Sequence, residues 1–230
     1  SNLNGYAIAA DALGVSIPEV GTTTYRPAYT PVTFGTLAGA HEGDTFEPRR
    51  TTAMHASHVA RGAKFELVGQ WLRPWYFPKD GEDMHAAVRR ECTAARRSVA
   101  ILDASTLGKV DISDKDVRDF LGRVYANAWA QLAPGKCRYG LMLDDNGMVM
   151  DDGVTACIAD DHFHMTTTTG GAARVLTWLE KWHQTEWPDL DVYMTSVTDH
   201  WATAAVVGPK SREALAKVCS GIDLAPGAFK

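Results

Sequence analysis

The side chains best suited to acid–base chemistry are gathered between positions 138 and 153. This stretch reads Arg138-Tyr-Gly-Leu-Met-Leu-Asp-Asp-Asn-Gly-Met-Val-Met-Asp-Asp-Gly153. Asp145-Asn146-Gly147 separates two apolar runs. Asn and Gly tolerate the positive φ of hairpin turns, so the stretch predicts a tight meander. The meander brings Tyr139 on one strand toward Asp151 and Asp152 on the next. Asp is disfavoured in strands, so the pair breaks a local rule, and such breaks concentrate at functional sites. The competing reading of Asp-Asp-Gly is a solvated bulge at a sheet edge.

Other chemistries find less support. His55 and His58 stand at i, i+3, and His162 and His164 at i, i+2 on one strand face. No His-Glu-x-x-His frame accompanies them, and such histidines are more often hydrogen-bonded structural groups, so no metal is expected. The chain has neither a Gly-x-Gly-x-x-Gly turn nor a phosphate loop, which argues against flavin or nicotinamide bound by these residues. Gly170-Gly171 follows a threonine run and opens a helix, either as an anion-receiving turn or as a plain strand-to-helix turn. The aromatic run Trp71-Leu-Arg-Pro-Trp-Tyr-Phe-Pro78 reads as core or interdomain packing before it reads as a stacking platform.

The elements that must position Tyr139 and the aspartates are those of an α+β protein. Residues 82–97 have helical spacing, and 99–102 and 107–112 read as short strands. Ser113 is placed to cap a helix, with Asp116 three residues on. That helix carries Val117, Phe120, Leu121 and Val124 on one face. Strands at 138–144, 148–158 and 162–168 form the meander. A helix follows Gly171, with Val175, Leu176, Leu179 and Trp182 inward. Strands near 191–197 and 201–207 are expected to pair with each other, and Pro209 starts a last helix. Residues 1–50, punctuated by Pro18, Pro27, Pro31 and Pro48, read as an extended, surface-wrapping linker or arm with a short helix near 7–13. Residues 51–230 read as one domain, interrupted at its end.

Composition sets the broad class. The 230 residues are 45% hydrophobic and 22% charged, with net charge −5 and mixed signs, as in ordinary globular proteins. No basic stripe suggests nucleic acid, and no apolar run is long enough for a membrane span. Cys92, Cys137, Cys157 and Cys219 are widely and irregularly spaced. They read as free thiols in a reducing cytoplasm, with Cys92 and Cys219 on apolar helix faces.

The order of motifs resembles the glycine-cleavage T-protein, or aminomethyltransferase, family. The resemblance rests on His58-Val-Ala-Arg-Gly-Ala-Lys-Phe65, Trp71–Pro78, Val99-Ala-Ile-Leu-Asp-Ala-Ser-Thr-Leu-Gly-Lys-Val110, Asp119–Gly153 and Val206-Val-Gly-Pro-Lys-Ser211, over residues 50 to 222. Val15–Pro27, Tyr29–Phe34, Lys109, Trp129 and Thr166-Thr-Thr-Thr-Gly-Gly171 narrow it to a branch of that family, the alpha subunits of heterotetrameric sarcosine oxidases.

The resemblance implies a truncated T-protein-like folate-binding fold with an antiparallel sheet and packed helices. It implies an NAD-binding half before residue 1 and further folate domain after residue 230. It implies tetrahydrofolate as the cofactor, with flavin and NAD only in other parts of the full enzyme. The partners would be a flavin-carrying beta subunit and the other oxidase subunits. Asp152 matches the family's catalytic aspartate and Tyr139 a tyrosine of the folate pocket. Leu107 stands where T-proteins usually have methionine against the pterin, and Thr168 stands at an asparagine position. The implied reaction transfers the one-carbon unit of the imine from sarcosine oxidation to tetrahydrofolate, giving 5,10-methylenetetrahydrofolate and glycine. The isolated fragment is expected to be inactive. The alternative is a non-catalytic folate-binding or subunit-docking domain of the same fold.

Overall fold

The computed structural model describes residues 2–21 and 49–225, in two compact units, Ser1–Pro48 and Arg49–Lys230. In the first unit, helix α1 (Asn2–Leu13) ends at Gly14, whose φ of 65° favours glycine. Helix α2 (Ile17–Val20) follows, where Ser16 donates its backbone N–H and its hydroxyl to the Glu19 carboxylate, both at 2.7 Å. The helix expected at 7–13 is thus longer. The alanine-rich start outweighs the single Gly5, whereas the prolines that suggested irregular chain fall mostly in 22–48. The extended arm expected over residues 1–50 is therefore corrected for 2–21, which are largely helical, while 22–48 lie outside the described residues.

The second unit begins with α3 (His55–Ala60), β1 (Lys64–Val68), β2 (Trp71–Tyr76) and α4 (Met84–Arg97). Next come β3 (Ala100–Asp103), β4 (Gly108–Ser113), α5 (Val117–Val124), β5 (Cys137–Leu143), β6 (Val149–Ala159) and β7 (His162–Thr167). Then follow α6 (Ala172–Thr185), β8 (Tyr193–Ser196), a 3₁₀ turn at Thr198–His200, β9 (Ala204–Val207) and α7 (Ser211–Val218). The principal sheet has the antiparallel order β5-β6-β7-β4-β8, and β1–β2 and β3–β9 form separate antiparallel pairs.

Period-two alternation gives the principal sheet two unlike faces. Val110, Ile112, Met142, Cys157, Phe163 and Met165 point to the core side. There they pack with Val117, Phe120, Leu121 and Val124 of α5 and Val175 and Leu179 of α6. Each such buried side chain contributes about 1.5–3 kcal/mol. The Phe120 ring meets Trp187 edge-on at 5.8 Å. Trp182, expected inward, is half-buried and stacks on Trp187 at 5.7 Å. The opposite face carries Tyr139, Asp152, Val154, Asp111, His162, His164 and Tyr193.

Three expectations need correction. First, β8 and β9 do not pair with each other: β8 joins β4, and β9 joins β3. Residues 197–203 hold the 3₁₀ turn, and Thr198 Oγ1 accepts from Lys109 N at 3.0 Å, so the chain is redirected rather than folded back. Second, Ser113 does not cap α5. It is the last residue of β4, paired with His162 and Tyr193, and Asp116 takes the position before the helix. Third, Cys92 is exposed, as is Val88 four residues earlier, because α4 turns its Ala87 side inward. All four cysteines are free. Among the described residues, no helix is long and apolar enough to cross a membrane.

Candidate active site

The β5–β6 turn begins one residue before Asp145-Asn-Gly, with Gly147 N donating to Asp144 O at 2.9 Å. Asp144 Oδ1 accepts from Asn146 N and Met148 N, both at 2.9 Å, and Gly147 takes φ 76°. The register then pairs Leu141 with Asp152, Gly140 with Gly153 and Tyr139 with Val154. The irregularity lies between Met142 and Leu143, which pair with Asp151 and Val149, so Met150 is the extra residue. The aspartates themselves lie in regular register, and β6 is an interior strand, so a solvated edge bulge does not describe them.

Alternation sends the two aspartates to opposite sides. Asp152 faces the open side, where the Tyr139 hydroxyl donates to its Oδ2 at 2.5 Å. Tyr139 is 55% exposed. Its hydrogen bond to the carboxylate, helped by desolvation and by the Asp152 charge, raises the phenol above its ordinary pKa. Asp151 points inward and is 3% exposed. Its Oδ1 accepts from Asp152 N at 2.9 Å and from Thr168 N at 3.3 Å.

Glycines permit this packing. A Cβ on Gly153 would lie 1.9 Å from the Thr166 carbonyl oxygen, and one on Gly171 would lie 2.1 Å from Asp151 Oδ2. Thr168 is exposed, but its hydroxyl accepts from Gly171 N at 3.1 Å, which shapes the turn into α6. Leu107 is half-buried and precedes Gly108, the partner of Thr167, so one step beyond that pair it falls opposite Thr168. The structure therefore joins Tyr139 to Asp152 directly and Thr168 to them through Asp151. Leu107 is placed by register alone.

A polar network supports the Leu107 loop. The Lys109 side chain is buried and donates to Ser105 O at 3.0 Å and Leu107 O at 2.9 Å. Burial lowers its pKa, partly opposed by Asp103 and Asp199. Asp103 accepts from Ser105 N at 3.0 Å and from Thr52 Oγ1 at 2.6 Å, and lies 2.9 Å from His58 Nε2. Although desolvation is the largest influence and acts upward, these hydrogen bonds outweigh it and hold the Asp103 carboxyl below its ordinary range. The sequence signal for Lys109 was a charged residue inside a strand between Gly108 and Val110. Nothing local marked Asp103 or Thr52.

His162 and His164 share a face, as their spacing predicts, and both approach Asp111, at 3.5 and 2.6 Å. No group of three or more His, Cys, Asp or Glu suited to a metal occurs among the described residues. A cavity of about 540 Å³, lined by His58, Arg61, Trp75, Phe77, Arg90 and Asp103 among others, includes none of Tyr139, Asp152, Leu107 and Thr168. The carboxylate–phenol pair lies instead on the open sheet face.

The chain belongs to the family described as the GCVT N-terminal domain, whose model matches residues 54–230. Residues 1–41 match a second model, the sarcosine oxidase A3 domain. The chain is homologous over its whole length to sarcosine oxidase subunit alpha of Corynebacterium sp. (strain P-1), at 56% identity, and of Rhizobium meliloti, at 46%. It spans 24% and 23% of those subunits, about a quarter of their length. It is 35% identical over 176 residues to an aminomethyltransferase of Methylococcus capsulatus, covering 75% of this chain and 45% of that one. The crystal structure of glycine cleavage system aminomethyltransferase T from Bartonella henselae has the same fold. It matches with a TM-score of 0.64 and 21% identity over 73% of this chain and 43% of that one.

Proposed function

We propose that this chain is part of a sarcosine oxidase alpha subunit, with an arm over residues 1–50 and a tetrahydrofolate-binding transfer domain over 51–230. The observation that carries this reading is the Tyr139–Asp152 hydrogen bond on the open face of the sheet. Tetrahydrofolate, when bound, supplies the amine nitrogens that take up the one-carbon unit of the imine from sarcosine oxidation, giving 5,10-methylenetetrahydrofolate and glycine. The donor set suits such a group: a carboxylate for amine protons and positive charge, with a phenol beside it.

Asp152 accepts a proton released by an attacking amine and passes it to the departing glycine nitrogen. Its negative charge favours a cationic imine next to it. Tyr139 holds the Asp152 carboxylate in one orientation through Oδ2. Leu107 supplies an apolar wall, and Thr168 shapes the turn beside it. Oxidation of sarcosine belongs to a flavin-carrying beta subunit, and transfer requires the assembled enzyme rather than this chain alone.

The test is a product balance. The assembled enzyme is supplied with sarcosine and tetrahydrofolate, and methylenetetrahydrofolate and formaldehyde are measured for the unsubstituted enzyme and for Asp152→Asn. A shift toward formaldehyde at unchanged sarcosine oxidation supports the reading. Equal methylenetetrahydrofolate from both enzymes removes Asp152 from the chemistry and favours a non-catalytic folate-binding or docking domain.

A further inference from the structure

The adjacent aspartates divide their tasks. Asp152 meets Tyr139 on the open face, while Asp151 is buried beneath it at the start of α6. Among the described residues, only one Asp151 oxygen has hydrogen bonds, and it has two: Oδ1 takes the Asp152 N–H and the Thr168 N–H. Its Oδ2 is buried without a hydrogen-bond partner among the described residues and stands against Gly171. A buried oxygen without a donor is costly. The nearby N-terminus of a 14-residue helix offsets part of that cost through its positive end. Gly171 leaves this carboxylate its place, because a Cβ there would overlap it.

We infer that Asp151 is a positioning residue for Asp152: its Oδ1 ties the Asp152 backbone to the Thr168–Gly171 turn and thereby keeps the Asp152 carboxylate on the Tyr139 phenol. The catalytic consequence rests on the acid–base reading of Asp152, and the geometric one does not. The essential property is the accepting oxygen, so an amide in its place preserves the tie and a methyl group does not.

The Tyr139 phenol reports this geometry directly. In the protein labelled with [¹³Cζ]tyrosine, the Tyr139 resonance is assigned with Tyr139→Phe and followed through its ionisation. Asp152→Asn lowers the pH of that ionisation. Asp151→Ala is expected to give at least half of that change, and Asp151→Asn to restore the original value. Gly171→Ala, with Asp151 intact, is expected to behave like Asp151→Ala by displacing Oδ2; it decides the matter if Asp151→Ala does not fold. In the assembled enzyme, Asp151→Ala is expected to lower kcat for transfer about 10- to 100-fold, the scale of a small misplacement of a reacting group. KM for tetrahydrofolate is expected to change little. A folded Asp151→Ala or Gly171→Ala protein whose Tyr139 ionises as in the original protein overturns the positioning role. No transfer by the unsubstituted enzyme overturns the acid–base reading instead, and the phenol titration still decides the geometry.

Discussion

Tyr139 and Asp152 sit on neighbouring strands of one hairpin, on the same face, and the phenol donates to the carboxylate at 2.5 Å across the diagonal of the Leu141–Asp152 and Tyr139–Val154 pairs. The Asp152 charge is therefore close enough to govern an ionisation other than its own.

Replacing that carboxylate has two consequences. Transfer to tetrahydrofolate in the assembled enzyme is expected to fall by about 10²-fold or more in Asp152→Asn, the scale of a lost acid–base group. The Tyr139 phenol, held above its ordinary pKa chiefly by the hydrogen bond to Asp152, is expected to ionise at lower pH in the same variant. Rate assays and tyrosine NMR read the two separately.

Gly153→Ala is expected to destabilise the fold by about 1–3 kcal/mol, the range for forced overpacking. Its Cβ would meet the backbone oxygen of Thr166, which cannot swing aside as a side chain does. Urea denaturation of the variant against the original protein measures the change in midpoint.

Phe120→Ala removes a fully buried ring between α5 and the Trp187 and His183 rings. The expected loss is about 3–5 kcal/mol. A melting temperature within a degree of the original would show that α5 does not pack as described.

Glu82 provides an acid-side test. Its carboxyl is lowered to about 2, first by the Arg90 guanidinium and then by Lys79 N. A carboxyl depressed in the folded state stabilises fully above its unfolded pKa, and that contribution disappears as pH falls through the folded value. The difference in unfolding midpoint between the original protein and Glu82→Gln is expected to be complete at pH 6 and to vanish between about 4.5 and about 2. A difference that persists unchanged at pH 2 would sink this assignment.

What the sequence disclosed was local. The spacing of Val117, Phe120, Leu121 and Val124 marked a buried helical face because one element determines it. Asn146-Gly147 marked the hairpin for the same reason. The pairing of β8 with β4 was hidden, because Val110 meets Ser196, 86 positions further along the chain, and no local pattern encodes that choice. The site followed the same division. Tyr139 and Asp152 lie on one hairpin and could be paired on paper. Asp151's hold on Thr168, and the burial of Lys109 among its own loop carbonyls, depend on strands that meet only in the folded sheet.

The β3–β9 ribbon imposes an order in time. Asp103 pairs with Ala204, so β3 leaves the ribosome about a hundred residues before its partner exists. At about 5–20 residues per second that is a wait of roughly 5–20 s. Throughout it the strand carrying Ile101 and Leu102 has an open edge in the nascent chain, available to any passing strand. The β5–β6–β7 meander closes within its own few dozen residues and has no comparable wait. A translational pause before Ala204 would therefore lengthen the exposure of β3 and leave the hairpin that bears Tyr139 and Asp152 untouched.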